Sequence, residues 1–184
     1  MTVSAELDRR FRAAAAAEGL LDVAYDVVET PLGALLVAAS PHGLCRISYD
    51  PDPERELDLL ARLHGTRVLR TELEEPRREL DEYFAGRREA FDLPIDLGRV
   101  GEFPRRVLVE LARVPFGSIV TYGELAARVG RPRAARAVGM VMNRNPVPIV
   151  LPCHRVVGVG GRLVGYGGGL HRKERLLRLE GALA

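Results

Sequence analysis

A chain of 184 residues with 47% apolar and 28% charged side chains can bury one substantial core or two small ones, and shows no bias toward disordered, collagen-like or membrane composition. No apolar run approaches the roughly 18 residues of a membrane span, and the N-terminus alternates charge with alanine where a signal peptide would have an apolar centre, so a cytoplasmic protein is expected. The net charge of +2 hides an asymmetry: residues 1–98 carry 12 Arg against 20 Asp and Glu, a net −8, while residues 99–184 carry 15 Arg and Lys against 5 Glu, a net +10.

A basic half of that size attracts polyanions, and an acidic half confines such binding to one face. The two cysteines, Cys45 and Cys153, sit in no CxxC or zinc-ligand spacing, which points to free thiols in a reducing compartment and to no metal site.

Taken in chain order, residues 1–22 read as a helical extension, alanine-rich from Ala13 to Ala17 and ended near Gly19. Val23 to Glu29, Leu35 to Ala39 and Leu44 to Tyr49 are short β-rich runs separated by Thr30-Pro31-Leu32-Gly33 and Ser40-Pro41-His42-Gly43, both turn sequences, and so predict an antiparallel meander. Cys45 alternates within the third run and reads as core filling. Asp50-Pro51-Asp52-Pro53 opens a helix to about His64 with Leu57, Leu60 and Leu63 on one face, and a second helix spans about Glu72 to Phe84 with Leu73, Leu80, Tyr83 and Phe84 as its buried stripe. His42 and His64 read as solvent-facing. The fold class expected is α+β: a small N-terminal domain of antiparallel sheet plus helices over residues 1–98, and a mainly helical C-terminal domain over residues 99–184, divided where Phe91 to Gly98 turns polar and the charge changes sign.

In the second half, Phe103 to Val114 has helical spacing and stops before Pro115-Phe116-Gly117. Thr121 with Glu124 three residues on forms a capping box for a helix from Tyr122 to Val129, which Gly130 ends, and Pro132 starts another helix to about Met142. Two short helices joined at a glycine, the second carrying Arg133 and Arg136 among Ala134, Ala135, Ala137 and Gly139, read as a helix-turn-helix whose small residues allow close approach to DNA. Leu170 to Leu179 closes the chain as an amphipathic helix bearing Arg172, Lys173, Arg175 and Arg178.

The chemistry concentrates in Ile149-Val150-Leu151-Pro152-Cys153-His154-Arg155-Val156-Val157. Pro152 fixes its own φ and biases Leu151 toward extended backbone, so the thiol is expected in a stiff geometry on a buried, strand-like segment. A lone cysteine on an apolar run is more often core than catalyst. Here it is followed at once by an imidazole and a guanidinium, preceded by Asn145-Pro146-Val147-Pro148, and succeeded by a glycine-rich stretch with Tyr166. A thiol with an ordinary pKa needs a base or a positive environment to act as a nucleophile. His154 is adjacent, but neighbours on extended chain point to opposite faces, so a bridging water would be needed, and Glu180 is one candidate among many to orient the ring. The glycines from Gly158 to Gly169 match neither a P-loop nor a strand-linked GxGxxG and read as tight turns that can line a pocket.

Pro152-Cys153-His154-Arg155-Val156 within Asn145-Pro146-Val147-Pro148-Ile149, preceded by Arg133-Ala134-Ala135-Arg136-Ala137-Val138-Gly139, resembles the O6-alkylguanine-DNA alkyltransferases, the methylated-DNA–protein-cysteine methyltransferases. The resemblance runs from about Phe103 to Gly181, through Val114-Pro115-Phe116-Gly117, Tyr122, Tyr166-Gly167-Gly168-Gly169-Leu170, Leu176-Leu177 and Glu180-Gly181; over residues 1–98, a ribonuclease-H-like domain by the same resemblance, it rests on element order.

It implies direct, irreversible transfer of an alkyl group from O6 of a flipped-out guanine in duplex DNA to Cys153, once per molecule and without a cofactor, with O4-alkylthymine left open. By the same resemblance His154 relays the thiol proton through water, Glu180 orients it, Asn145 ties the active-site turn, and Tyr122 protonates the leaving base. Arg136 enters the vacated stack. Arg133, Ala135, Tyr122 and Arg155 contact DNA from the minor groove, and Val156, Tyr166, Gly167, Gly168 and Met142 form the base pocket. Many relatives carry serine where this chain has Gly167. The expected partner is double-stranded DNA containing O6-alkylguanine, bound by a monomer. Two other readings remain: a non-catalytic lesion-binding relative, against which Cys153 speaks, and a helix-turn-helix regulator in which Cys153 is core. A cysteine hydrolase is disfavoured for want of an upstream histidine in a recognisable arrangement.

Overall fold

The computed structural model describes residues 4–183. They form two compact units: residues up to Asp81 together with Asp92–Arg99, and Glu82–Phe91 together with the chain from Val100 onward.

In the first unit, helix α1 (Ala5–Ala17) precedes strands β1 (Val23–Thr30), β2 (Gly33–Ser40) and β3 (Gly43–Tyr49), the expected meander. β1 and β2 pair antiparallel from Ala24↔Ala39 to Thr30↔Gly33, and β2 pairs antiparallel with β3 with a bulge at Ala38/Ala39. Gly43 is required at its turn. Its φ of 125° suits glycine, and a Cβ there would lie 2.4 Å from the Pro94 carbonyl oxygen. Helix α2 (Pro53–His64) starts under an Asp52 cap with proline in its first turn, and β4 (Val68–Arg70) then pairs parallel with β1, giving the sheet order β3-β2-β1-β4. The three residues of β4 are too few to carry a usable alternation in the sequence.

Val23, Leu36, Ala38, Cys45 and Leu60 form a buried cluster of this unit. The Leu57, Leu60, Leu63 stripe drifts around α2, since spacings of three fall short of a full turn. Leu63 is exposed, and the buried positions are Leu60 and Glu56, whose carboxylate takes Arg46 Nε at 2.9 Å and Ser48 Oγ at 2.7 Å. His64 is not solvent-facing either: its side chain is 9% exposed with Nδ1 4.0 Å from Asp96 Oδ2. Cys45 donates to the Ala38 carbonyl, and burial, helped by the charge of Asp96, pushes its thiol up to about 12. It is core.

Helix α3 (Glu74–Phe84) leads into the second unit, whose helices are α4 (Glu102–Leu111), α5 (Tyr122–Arg128), α6 (Ala135–Asn143) and α7 (Leu170–Leu179). The Thr121–Glu124 capping box is present in both directions and fixes the start of α5. Gly130, at φ 73°, ends that helix. α6 begins at Ala135, three residues later than the proline suggested, because Arg131 to Ala134 form a turn. Arg106 donates to the Val129 carbonyl at 2.9 Å, and Arg131 stacks on the Phe103 ring at 5.7 Å, so α4 braces the helix-turn-helix. β5 (Val120–Thr121) pairs parallel with β6 (Val156–Val157), which sets the start of α5 beside the segment bearing the cysteine.

Candidate active site

Cys153 does not lie on a strand. After Ile149, whose φ of 76° is left-handed, and a bridge between Pro148 and Leu151, the chain enters a 3-10 turn over Cys153–Arg155 with Pro152 at its N-terminus. Asn145 holds this approach. Its Nδ2 donates to the Leu151 carbonyl at 2.8 Å and its Oδ1 accepts from Val147 N at 3.1 Å, so one side chain clamps both sides of the loop. On a 3-10 turn successive side chains diverge by about 120°, and no hydrogen bond joins the Cys153 and His154 side chains among the described residues.

The thiol is 4% exposed and forms part of the wall of a cavity of about 370 Å³, with Tyr122, Arg136, Met142, Val164 and Tyr166 around it. Burial raises its pKa, while the Asn145 side chain, the charge of Lys173, a backbone amide and the Tyr166 side chain pull it back. Tyr122 lies against α6 where Gly139 offers no side chain, and its Oη donates to the Val164 carbonyl at 3.2 Å. Burial, with the nearby Cys153 charge, raises the tyrosine pKa. Arg136 reaches the cavity from an exposed position on α6; Arg133 is exposed in the turn before it, and Ala135 is the first residue of the helix.

Behind the thiol is a fully enclosed polar cluster. His154, 0% exposed, meets Glu180 Oε1 through Nε2 at 2.8 Å, and its Nδ1 has no protein partner. Burial lowers the imidazole pKa against the pull of Glu180, so the ring is neutral at neutral pH. Glu180 also accepts Arg155 Nε at 2.8 Å, Arg155 Nη2 at 2.8 Å and Tyr83 Oη at 2.7 Å. Burial would raise this carboxyl, but those donors outweigh it and bring it to about 2.

Arg155, expected at the DNA, is instead 6% exposed: its remaining nitrogen donates to the Val114 carbonyl and its guanidinium lies over the Phe116 ring. It is the counter-ion of Glu180, and every face of it is occupied. Of the residues expected to form the base pocket, Met142 and Tyr166 line the cavity; the Val156 carbonyl accepts from Lys173, and the Gly168 carbonyl from Arg172. Two residues that matter here were not singled out from sequence. Tyr83, ringed by Phe84, Phe91 and Phe116, reaches Glu180 from 97 positions away. Lys173 is 0% exposed, and its ammonium donates into the site. No group of three or more His, Cys, Asp or Glu side chains is arranged to hold a metal among the described residues.

Comparison with known proteins decides the family. Residues 102–182 match the model of the 6-O-methylguanine DNA methyltransferase DNA-binding domain, and residues 23–97 match that of the ribonuclease-like domain of the same proteins. The chain belongs to the 6-O-methylguanine DNA methyltransferase family. Among its methyltransferase relatives, the methylated-DNA–protein-cysteine methyltransferase of Methanosarcina barkeri is 39% identical over 85% of this chain and 96% of its own length. That of Mycolicibacterium paratuberculosis is 41% identical over 86% and 92%. The structure of Mycobacterium tuberculosis OGT in complex with DNA superposes with a TM-score of 0.76 at 36% identity, covering 86% of this chain and 93% of that one. The alternative of an unrelated helix-turn-helix regulator falls with this membership. Among the described residues of this methyltransferase, no helix is long and apolar enough to cross a membrane.

Proposed function

We propose that the chain repairs DNA by direct transfer of an alkyl group from O6 of guanine to Cys153, in a single, stoichiometric event. The observation that carries this is a thiol in the wall of a cavity, with a tyrosine and an exposed arginine beside it and a neutral histidine behind it, in a member of this family. A regulator's core cysteine has no use for such a cavity.

The bases for each role are chemical. The thiol proton leaves through a bridging water to the unpaired Nδ1 of His154, whose Nε2 is anchored on Glu180. The thiolate sulfur attacks the alkyl carbon; the new S–C bond forms as the C–O6 bond breaks, and its electron pair passes into the guanine ring. Tyr122 Oη, close to the thiol across the cavity, gives the ring a proton and recovers one from solvent. Asn145 keeps the loop in place, and Met142 and Tyr166 wall the base. Flipping costs a few kcal/mol of stacking and pairing, least for a lesion that pairs badly, and Arg136 offsets part of it by filling the gap in the duplex. The thioether resists hydrolysis, so the molecule is spent.

Duplex DNA carrying O6-alkylguanine is accordingly the partner, approached from the minor groove by α6 with Arg133 and Ala135 at its start, and met by a monomer in the cytoplasm, where both thiols stay free. Mixing the protein with a duplex containing O6-methylguanine and measuring the intact mass tests this. One CH2 gained at Cys153 per lesion repaired is the expected result. An unmodified protein facing a competent lesion would overturn it.

A further inference from the structure

Helix α6 contributes Arg136, Gly139, Met140, Met142 and Asn143 to the wall of the cavity that holds the Cys153 thiol. At about 100° per residue, Gly139 and Asn143 point toward the cavity, and the two methionines fall to either side of them. Met142, 7% exposed, lies on the core side; Met140, 57% exposed, lies on the solvent side. Gly139 between them has no side chain, so the lip of the cavity along α6 is formed by the thioether of Met140.

A single exposed apolar side chain is ordinary on a protein surface and needs no function. Met140 differs in its setting. It is the one large apolar side chain that α6 exposes among the described residues, on a helix with no acidic residue and with Arg136 and Arg144 exposed. It follows Arg136 by four residues, so the two side chains leave the helix on one face about 5–6 Å apart. It also lines the same cavity as the thiol, so a base moving from the gap that Arg136 fills toward Cys153 passes over it.

Once a base is inside the cavity, the part of its nucleotide left at the lip is the deoxyribose, which presents a carbon-rich edge. A thioether has no hydrogen to donate and is a weak acceptor, so it neither reads a base edge nor holds a phosphate. It can bury apolar surface, and its unbranched chain adapts to the curved face of a sugar.

We propose that Met140 is a specificity-determining residue of the alkyl transfer: its side chain packs on the deoxyribose of the flipped nucleotide at the lip of the cavity and keeps that nucleotide out of the stack while Cys153 reacts. This rests on the alkyl-transfer reading. Arg136 stabilises the gap left in the duplex, and Met140 stabilises the nucleotide that has left it. The site thereby favours a base carried on a sugar over a free base, in a single strand as much as in a duplex.

The test compares methyl-transfer rates, read as intact-mass gain, on free O6-methylguanine base, on a single-stranded oligodeoxynucleotide with one O6-methylguanine, and on the matching duplex. Burial of the exposed part of a methionine side chain corresponds to about tenfold in rate, so Met140→Ala is expected to lose about tenfold on single strand and duplex alike, relative to the same variant's rate on free base. Met140→Leu keeps the apolar bulk and is expected to recover most of that ratio. An unchanged ratio in Met140→Ala overturns the proposal, as does a leucine variant no better than alanine. A loss confined to the duplex also overturns it, because it would place Met140 in the stack beside Arg136 and not on the sugar. Referring each rate to free base removes any general loss of folded protein, and the exposed position leaves the core unaltered. Failure of the alkyl-transfer reading shows separately, as a wild-type protein that gains no mass on any of the three probes.

Discussion

Replacing Glu180 with glutamine removes one charge from a site where the carboxylate receives four donors. Tyr83, His154 and one Arg155 nitrogen converge on Oε1, and Arg155 Nε alone meets Oε2. An amide can present its oxygen to the crowded side, but its NH2 then faces the Nε–H of Arg155, donor against donor. The guanidinium also loses its counter-ion while remaining buried. Removing one partner of a buried pair costs about 3–5 kcal/mol. The pKa gives a second route to the size. The carboxyl falls from 4.5 to about 2 on folding, and at ~1.4 kcal/mol for each unit this is about 3 kcal/mol of stability.

The sign follows from the depressed value: the stabilisation is complete above the unfolded pKa near 4.5 and is lost as the pH falls toward 2. Urea unfolding followed by circular dichroism at neutral pH and at successive steps below pH 5 measures both effects. Glu180→Gln should be less stable by about 3 kcal/mol at neutral pH, and the gap should close in acid. A gap under about 1 kcal/mol, the scale of an exposed pair, or one that stays constant into acid, would refute the account of Glu180 as a buried, charge-bearing anchor.

Tyr83→Phe removes a single hydrogen bond to the same carboxylate and should cost about 1.5–3 kcal/mol in urea unfolding while leaving alkyl transfer intact, since the ring packing is kept. The His154 imidazole, lowered by burial from 6.5, should give the 15N shifts of a neutral ring at neutral pH; a protonated ring there would contradict its use as a base. Arg136→Ala should slow repair of a lesion within duplex DNA by about tenfold or more, the effect of ~1.4 kcal/mol of lost stacking, while sparing reaction with a free alkylated base. Equal losses on both substrates would remove the base-replacement role.

What the sequence revealed and what it concealed divide along the range of the interactions. The β1–β3 meander and the start of α5 were legible because glycine turns, alternation and a capping box act within a few residues. The thiol motif was legible because its proline, asparagine and histidine are neighbours. The 3-10 turn was not, since the left-handed Ile149 and the Asn145 clamp that create it depend on contacts closed in three dimensions. Arg155 was expected at the DNA by the resemblance, and only the tertiary partner shows that a basic residue next to the nucleophile is spent on Glu180. Lys173 did leave a trace. Counting back from the buried Leu176, Leu177 and Glu180 by threes and fours reaches Lys173, which puts it on the apolar stripe of α7 and not on its solvated face.

The buried charges also explain why the histidine can serve as a base at all. A carboxylate bonded only to an imidazole would stabilise the imidazolium and leave the ring already protonated. Here Arg155 takes both oxygens of Glu180, so the charge is balanced before His154 is considered, and the bond to Nε2 orients the ring more than it charges it. Burial then keeps the ring neutral, with its lone pair free at Nδ1. The two buried cations are held differently: Arg155 is fixed to the permanent anion, and Lys173 is held between the Val156 and Val164 carbonyls. Exchanging them would defeat both, since a lysine at position 155 could not bridge the two oxygens and an arginine at position 173 would bring a bulky fork to a point-charge site.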